Sequence, residues 1–268
     1  MDIASLLERV RSDKPLIHHI TNWVTIYDCA NVVKTFGASP VMAHAPEEAA
    51  DMTTQFAGAL VLNIGTLTVD LIDAMLAAGA AANRKGVPIV LDVCGAGATR
   101  LRNAESARLL SKLRIDIIKG NASEIASVAG EKIATRGVDA TEVGKDLTEI
   151  ARKLAAEKKA TVVITGHDDI VADMDGRLFT VSNGHPVMQQ VVGTGCMAAS
   201  VIGTFAAVDK DRTAAAAAGL ACYEIAAELA AEQSMTAGRE NGRVAPGTWK
   251  VKLFDAISAL TGDEAARR

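Results

Sequence analysis

Three observations predict an α/β fold with a mostly parallel central sheet. Short β-branched runs alternate with stretches of helical periodicity, the mark of βαβ units. Four of those runs, residues 59–62, 88–91, 115–118 and 161–164, are predominantly apolar, as strands buried on both faces are. No Pro/Gly/Ser-rich stretch is long enough to divide the 268 residues, so 1–268 reads as a single domain around one extended sheet.

The elements follow in order. Residues 1–10 form an amphipathic helix with Ile3, Leu6, Leu7 and Val10 on one face, and no signal peptide is read there. A strand over 15–20, a helix over 23–36, a short strand over 40–43 and a helix over 46–54 come next, the last opened by Pro46 in its first turn. Helices over 69–83, 104–113 and 140–158 separate the four buried strands. Residues 170–181 alternate about Asp175-Gly176 and predict a β-hairpin. Beyond it the chain is helical, with two Ala-rich helices beginning near Gly195 and Thr213 and a last one over 249–260. The most apolar long stretch, 214–231, is interrupted by Glu224 and Glu228, so it reads as a buried or subunit-facing helix and not a membrane span.

Apolar residues make up 49% of the chain and aromatics only 3%, so the core is filled by Ala, Val, Ile and Leu. The net charge of −4, with no basic cluster, argues against a nucleic-acid partner. Cys29, Cys94, Cys196 and Cys222 show no C-x-x-C pair or zinc spacing and are read as reduced thiols. Cys29 and Cys222, on apolar helices, are small hydrophobes, whereas Cys94 is a candidate second active-site thiol.

Ligands of open α/β sheets bind beyond the carboxyl ends of the strands, and those positions are polar here. Asn63 ends one strand and Asp92 the next; Lys119, Asn121 and Glu124 follow the third, and Thr165-Gly166 the fourth. An Asp and a Glu at neighbouring strand ends suit Mg²⁺ held largely through its waters, and Lys119 suits nucleotide phosphates. Asn121 and Glu124 equally form the two halves of a helix capping box.

Gly193-Thr194-Gly195-Cys196 opens an Ala-rich helix, where bare amides and the helix dipole favour an anion such as a phosphoryl group in transfer. The same letters fit a dinucleotide fingerprint, but only helices follow them, so no second strand can supply the ribose-binding acid. No G-x-x-x-x-G-K-[ST] run exists, which excludes a P-loop enzyme. The second glycine-rich loop, Gly95 to Thr99, lines a phosphate path or simply turns a strand into a helix. For His18 and His19, hydrogen bonding and packing are favoured over catalysis.

Seven segments together resemble the hydroxyethylthiazole kinases of the ribokinase-like superfamily: His18 to Asn22, Ser39 to Met42, Asn63 to Leu67, Gly95 to Thr99, Gly120 to Glu124, Gly193 to Cys196 and Pro246 to Thr248. The resemblance spans nearly the whole chain. It implies a three-layer α/β/α fold without a separate lid, and a cytoplasmic homotrimer with sites between subunits. It implies transfer of the γ-phosphoryl of ATP, with Mg²⁺, to the alcohol of 4-methyl-5-(2-hydroxyethyl)thiazole. By position, Met42, Gly193 and Asn22 correspond to the substrate side, Lys119, Thr165 and Asn121 to the nucleotide side, and Asp92 and Glu124 to the magnesium side. Cys196 stands beside the hydroxyl, with Gly195 in the anion hole. The runners-up are a hydroxymethylpyrimidine kinase, a nucleotide-dependent dehydratase repairing hydrated nicotinamide cofactors, and a non-catalytic binding protein that kept the fold. Two positions depart from the family pattern. Lys119 replaces the usual Arg and loses its bidentate fork. Val93 replaces the proline of the usual Asp-Pro-Val-Gly, which is expected to loosen that loop.

Overall fold

The computed structural model describes residues 1–131, 147–235 and 243–268. Its frame is one eight-stranded sheet in the order β2-β1-β3-β4-β5-β6-β7-β8. The strands are β1 Leu16–Ile20, β2 Ser39–Val41, β3 Ala59–Asn63, β4 Ile89–Asp92, β5 Ile117–Asn121, β6 Thr161–Thr165, β7 Asp169–Ala172 and β8 Leu178–Val181. Pairing is parallel from β2 through β6 and antiparallel across β6-β7-β8. The predicted mostly parallel sheet and its terminal hairpin are both present. The hairpin turns where Gly176 adopts φ +88 and Asp173 Oδ1 accepts the amides of Asp175 and Arg177.

The helices are α1 Ile3–Asp13, α2 Ile26–Thr35, α3 Pro46–Phe56, α4 Val69–Lys85, α5 Arg100–Lys112, α6 Ala122–Val128, α7 Leu147–Lys158, α8 Thr194–Ala206, α9 Arg212–Gln233, α10 Pro246–Ala259 and α11 Gly262–Arg267. Local chemistry explains their ends. Asp2, Thr68, Thr99 and Asp211 cap α1, α4, α5 and α9 by accepting an amide of the first turn, and Gly86 ends α4 in the left-handed region. The apolar period predicted a helix from residue 23, but α2 starts at Ile26. Asn22 Oδ1 accepts the amides of both Val24 and Thr25, which folds those residues into a turn first. β5 likewise starts later than expected and runs through Lys119 to Asn121, so these polar groups are part of the strand end itself. Residues 140–146 of the predicted helix over 140–158 lie outside the described residues. A 3₁₀ turn over Pro186–Gln190 and the short α11 escaped the sequence reading because both are too short for a periodic signal.

Two buried clusters, one on each face of the sheet, make three layers. One joins α1, α2, α8, α9 and α10 to the sheet, and the other joins α4, α5, α6 and α7. Small residues permit the close approach of α8: a Cβ on Gly203 would lie 2.4 Å from Val61 Cγ2 of β3. α9 is long and apolar enough to cross a membrane, yet 83% of its most apolar stretch is buried inside the fold, so it is the core helix the sequence predicted. Trp249 is fully buried against it and donates from Nε1 to the Ala227 carbonyl (2.9 Å).

Candidate active site

Parallel pairing lines up the carboxyl ends of β1, β3, β4, β5 and β6 side by side, which brings their terminal polar residues together. Asn63 is in register with Asp92, Asp92 with Lys119, and Asn121 with Thr165. A chain of hydrogen bonds crosses four strands. Asn22 Nδ2 donates to Asn63 Oδ1 (3.0 Å), Asn63 Nδ2 to Asp92 Oδ2 (2.8 Å), and Lys119 Nζ reaches the same Oδ2 at 3.4 Å. Both amides also point at one sulfur, with Cys196 Sγ 3.3 Å from Asn22 Nδ2 and 3.4 Å from Asn63 Nδ2.

Cys196 lies in the first turn of α8. Gly193 precedes that helix at φ +98, where a side chain would strike Thr25 Cγ2 at 2.7 Å. Among the described residues no side chain caps α8, and its first internal bond runs from the Met197 amide to the Gly193 carbonyl (2.8 Å). The amides of Gly195 and Cys196 are therefore presented outward. A Cβ on Gly195 would sit 3.3 Å from Lys119 Nζ, so the helix mouth faces a buried ammonium across a small gap. This is the geometry of an anion hole.

The charges in this pocket depend on one another. The Cys196 thiol is pulled down to about 5, chiefly because the Cys94 thiol hydrogen-bonds to its sulfur; Thr25, Lys119 and Asn63 add to this against the cost of burial. It stands as a thiolate at neutral pH. Burial pushes Asp92 up to about 7 against the pull of Lys119. Burial alone would lower Lys119, but Asp92, Glu124 and the Cys196 thiolate together hold it above its ordinary value, so it stays charged. Asp92 Oδ1 is buried and has no hydrogen-bond partner among the described residues, a carboxylate oxygen of the hard-donor type that suits a cation such as Mg²⁺.

Glu124 forms the capping box the sequence allowed: Asn121 Oδ1 accepts the Glu124 amide (2.9 Å) and Glu124 Oε2 accepts the Asn121 amide (2.8 Å). Its other oxygen accepts the Gly95 amide (2.7 Å). Both carboxylate oxygens thus hold backbone, and Glu124 contributes charge while tethering the glycine loop. That loop is not loose despite its lost proline. Val93 N–H, which a proline would lack, donates to the Lys119 carbonyl (2.9 Å), and Arg102 clamps the carbonyls of Ile64, Gly65 and Cys94. Arg102 and Thr25 escaped the sequence reading because no motif marks them.

Thr165 stands at the end of β6 with its hydroxyl 3.4 Å from the Gly120 carbonyl. Met42 is set apart, just beyond the edge strand β2. Its carbonyl accepts from His44 Nδ1 (2.8 Å), and His44 Nε2 then accepts the Thr21 amide (3.2 Å), which links Met42 to the segment carrying Asn22. His18 and His19 are fully buried between partners, with Thr53 and the Ala43 carbonyl on one and Ser200 and the Ile17 carbonyl on the other. Burial lowers both, His19 to about 3, so they are neutral packing groups. A second pair of acids lies beyond Thr165, where Asp169 of β7 accepts the Gly166 amide (2.9 Å) and Glu224 of α9 is buried near it. Burial, and then the Asp169 charge, push Glu224 up to about 10, so Glu224 is neutral at pH 7.

Residues 7–263 match the sequence model of the Hydroxyethylthiazole kinase family. A hydroxyethylthiazole kinase of Methanosarcina mazei is 51% identical over 258 residues, covering 96% of this chain and 95% of that one. One of Methanocella arvoryzae is 48% identical over 264 residues, covering 98% and 95%. The structure of a hydroxyethylthiazole kinase protein from Pyrococcus horikoshii superposes with a TM-score of 0.87 at 38% identity, covering 99% of this chain and 96% of that one. An ADP/ATP-dependent NAD(P)H-hydrate dehydratase from Bacillus subtilis, co-crystallised with ATP/Mg²⁺, shares the fold at a TM-score of 0.60 and 15% identity, covering 93% and 91%.

Proposed function

Because this chain belongs to the hydroxyethylthiazole kinase family, we propose that it transfers the γ-phosphoryl of ATP to the primary alcohol of 4-methyl-5-(2-hydroxyethyl)thiazole at the carboxyl end of its sheet. The observation that carries the reading is the uncapped mouth of α8 facing the Lys119 ammonium, with the Cys196 sulfur beside it. Phosphoryl transfer passes through a loose transition state in which positioning and charge stabilisation dominate. The Gly195 and Cys196 amides receive the equatorial oxygens, and Lys119 and Thr165 hold the nucleotide, with Asn121 fixing the strand end that carries them. Asn22, Met42 and the Gly193 carbonyl border the thiazole.

Cys196 Sγ accepts the alcohol proton. A thiolate with a value of about 5 is a weak base, which suits a proton that leaves late. Asn22 and Asn63 keep that sulfur in place and charged. The residues also fit Mg²⁺: Asp92, whose Oδ1 lacks a partner, would hold the ion, and Glu124 would add its charge. When bound, the ion neutralises charge on the transferring phosphoryl group.

The same reading takes 1–268 as one kinase domain in a cytoplasmic homotrimer with sites between subunits. Trp23, Val24 and Tyr27, 56%, 67% and 76% exposed directly after Asn22, support a subunit contact at the thiazole side. A monomer in light scattering would remove the shared site. The reaction is tested by ADP release from Mg-ATP with hydroxyethylthiazole, with hydroxymethylpyrimidine and with no acceptor. Thiazole-dependent release that stops on chelating Mg²⁺ is expected, and equal release in all three arms would overturn the assignment.

A further inference from the structure

Arg102 directs a charged side chain at backbone. Its guanidinium donates from Nη1 to the carbonyls of Ile64 (2.7 Å) and Cys94 (2.8 Å), and from Nη2 to that of Gly65 (2.7 Å). Among the described residues none of these carbonyls receives a backbone amide, because the chain there has run past the strand ends and the ladder no longer pairs it. The side chain is aimed by α5, whose capping Thr99 hydroxyl accepts the Arg102 amide (3.2 Å).

The two loops it joins serve opposite halves of the site. The loop after β3 buttresses the acceptor side. There the Thr66 hydroxyl accepts the Trp23 amide (3.0 Å), the Gly65 amide donates to Asn63 Oδ1 (2.9 Å), and a Cβ on Gly65 would lie 3.0 Å from Asn22 Cβ. The loop after β4 buttresses the nucleotide side, with the Val93 amide on the Lys119 carbonyl and the Gly95 amide on Glu124. Gly95, at φ +80, lies directly against the guanidinium, since a Cβ there would sit 2.9 Å from Arg102 Nη1. The backbone bond between the loops, from the Ile64 amide to the Asp92 carbonyl, is long at 3.4 Å, so the charge-assisted bonds of Arg102 are the stronger tie.

We propose that Arg102 is a positioning residue for phosphoryl transfer, a clamp that holds the acceptor-side loop after β3 at a fixed distance from the nucleotide-side loop after β4. The inference rests on the kinase reading given above. In-line transfer depends on the approach of two reactants seated on different strand ends, and a misplacement of about 1 Å costs about 10²-fold in rate. The planar fork of Arg102 spans three carbonyls at once, whereas a lysine offers a single point of donation. Each reactant alone is bound by the residues on its own side, so loss of the clamp lowers kcat and leaves KM nearly unchanged.

The test compares the full-length protein with Arg102→Ala and Arg102→Lys. Hydrogen exchange of the unliganded proteins comes first: in both variants the amides of Gly65 and Gly95 should lose protection together, while those of the distant strands β7 and β8 keep theirs. Thiazole-dependent ADP release from Mg-ATP, normalised to the folded fraction, should then show kcat lowered about 10–10²-fold in both variants, with each KM within about threefold of the parent. Millimolar guanidinium chloride should restore part of the Arg102→Ala turnover in a saturable way, and equal sodium chloride should not. Unchanged exchange in both loops, full kcat in Arg102→Lys, or a raised KM with kcat intact would each overturn the clamp. Should Arg102→Ala fail to fold, Arg102→Lys decides by the same readings. The exchange readout does not depend on turnover, so it judges the clamp apart from the choice of acceptor.

Discussion

Gly195→Ala adds one methyl group at the mouth of α8, and the fold dictates where it goes. The new carbon would lie 3.3 Å from Lys119 Nζ, in the gap between the outward amides and the ammonium. The backbone there is ordinary, since Gly195 is absent from the positive-φ glycines, and the close atom is the tip of a flexible side chain. Folding should tolerate the change: alanine in a helix gains up to about 1 kcal/mol over glycine, roughly offsetting the tight contact. The melting temperature should then move by no more than about 2–4 °C. Catalysis should not tolerate it, because the methyl occupies the seat of the transferring phosphoryl group. Loss of a contribution the size of one anion-hole donor lowers kcat by about 10²–10³, or roughly 2.7–4 kcal/mol. The assay is coupled ADP release at saturating Mg-ATP and thiazole, with thermal unfolding alongside. Gly203→Ala gives the opposite signature: its Cβ meets Val61 Cγ2 at 2.4 Å, and overpacking of about 1–3 kcal/mol lowers the melting temperature while the folded fraction turns over normally. A folded Gly195→Ala enzyme with kcat within about threefold of the parent would refute the anion-hole assignment.

Four further outcomes follow from the same geometry. Cys196→Ser and Cys196→Ala should keep appreciable turnover, and Cys196→Asp should match or exceed the parent because Asn22 and Asn63 already donate to that position; loss in all three variants would mean that the proton acceptor is indispensable. Lys119→Met strands a buried carboxylate, so the melting temperature should fall by the equivalent of about 3–5 kcal/mol at neutral pH, less at about pH 5 where Asp92 takes up a proton, with the KM for ATP rising; a pH-independent loss would count against the pairing. Glu224 has its folded value raised from 4.5 to about 10, so the folded protein binds more protons than the unfolded chain between those values, and its contribution is full below about 4.5 and is lost as pH rises toward 10. Glu224→Gln, neutral at every pH, should flatten that decline in melting temperature, and an unchanged pH profile would show that Glu224 is not held protonated in the folded protein. Chelating Mg²⁺ should abolish thiazole-dependent ADP release without unfolding the protein, as followed by circular dichroism.

Local chemistry made much of this protein legible from its residues. Predominantly apolar runs marked the buried strands, and Asp175-Gly176 marked the hairpin because glycine supplies the left-handed turn. The polar residues ending those runs named most of the candidate site, since parallel strands must end together at one edge. What the sequence left open depended on contacts between distant segments. Asn121 and Glu124 could be read as a cap or a metal site, and only the placement of Gly95 showed both Glu124 oxygens engaged with backbone. The apolar helix around Cys29 already marked it as a core residue, and the structure buries it, whereas Cys94 follows the polar end of β4 and is only partly buried. Arg102 shows no motif until its guanidinium is seen to clasp three carbonyls from two loops. Periodicity and turn chemistry act over a few residues and are written in the chain. The convergence of Asn22 and Asn63 on the Cys196 sulfur spans up to 174 residues of chain, and it takes the pairing of β1 with β3 beneath α8 to create it.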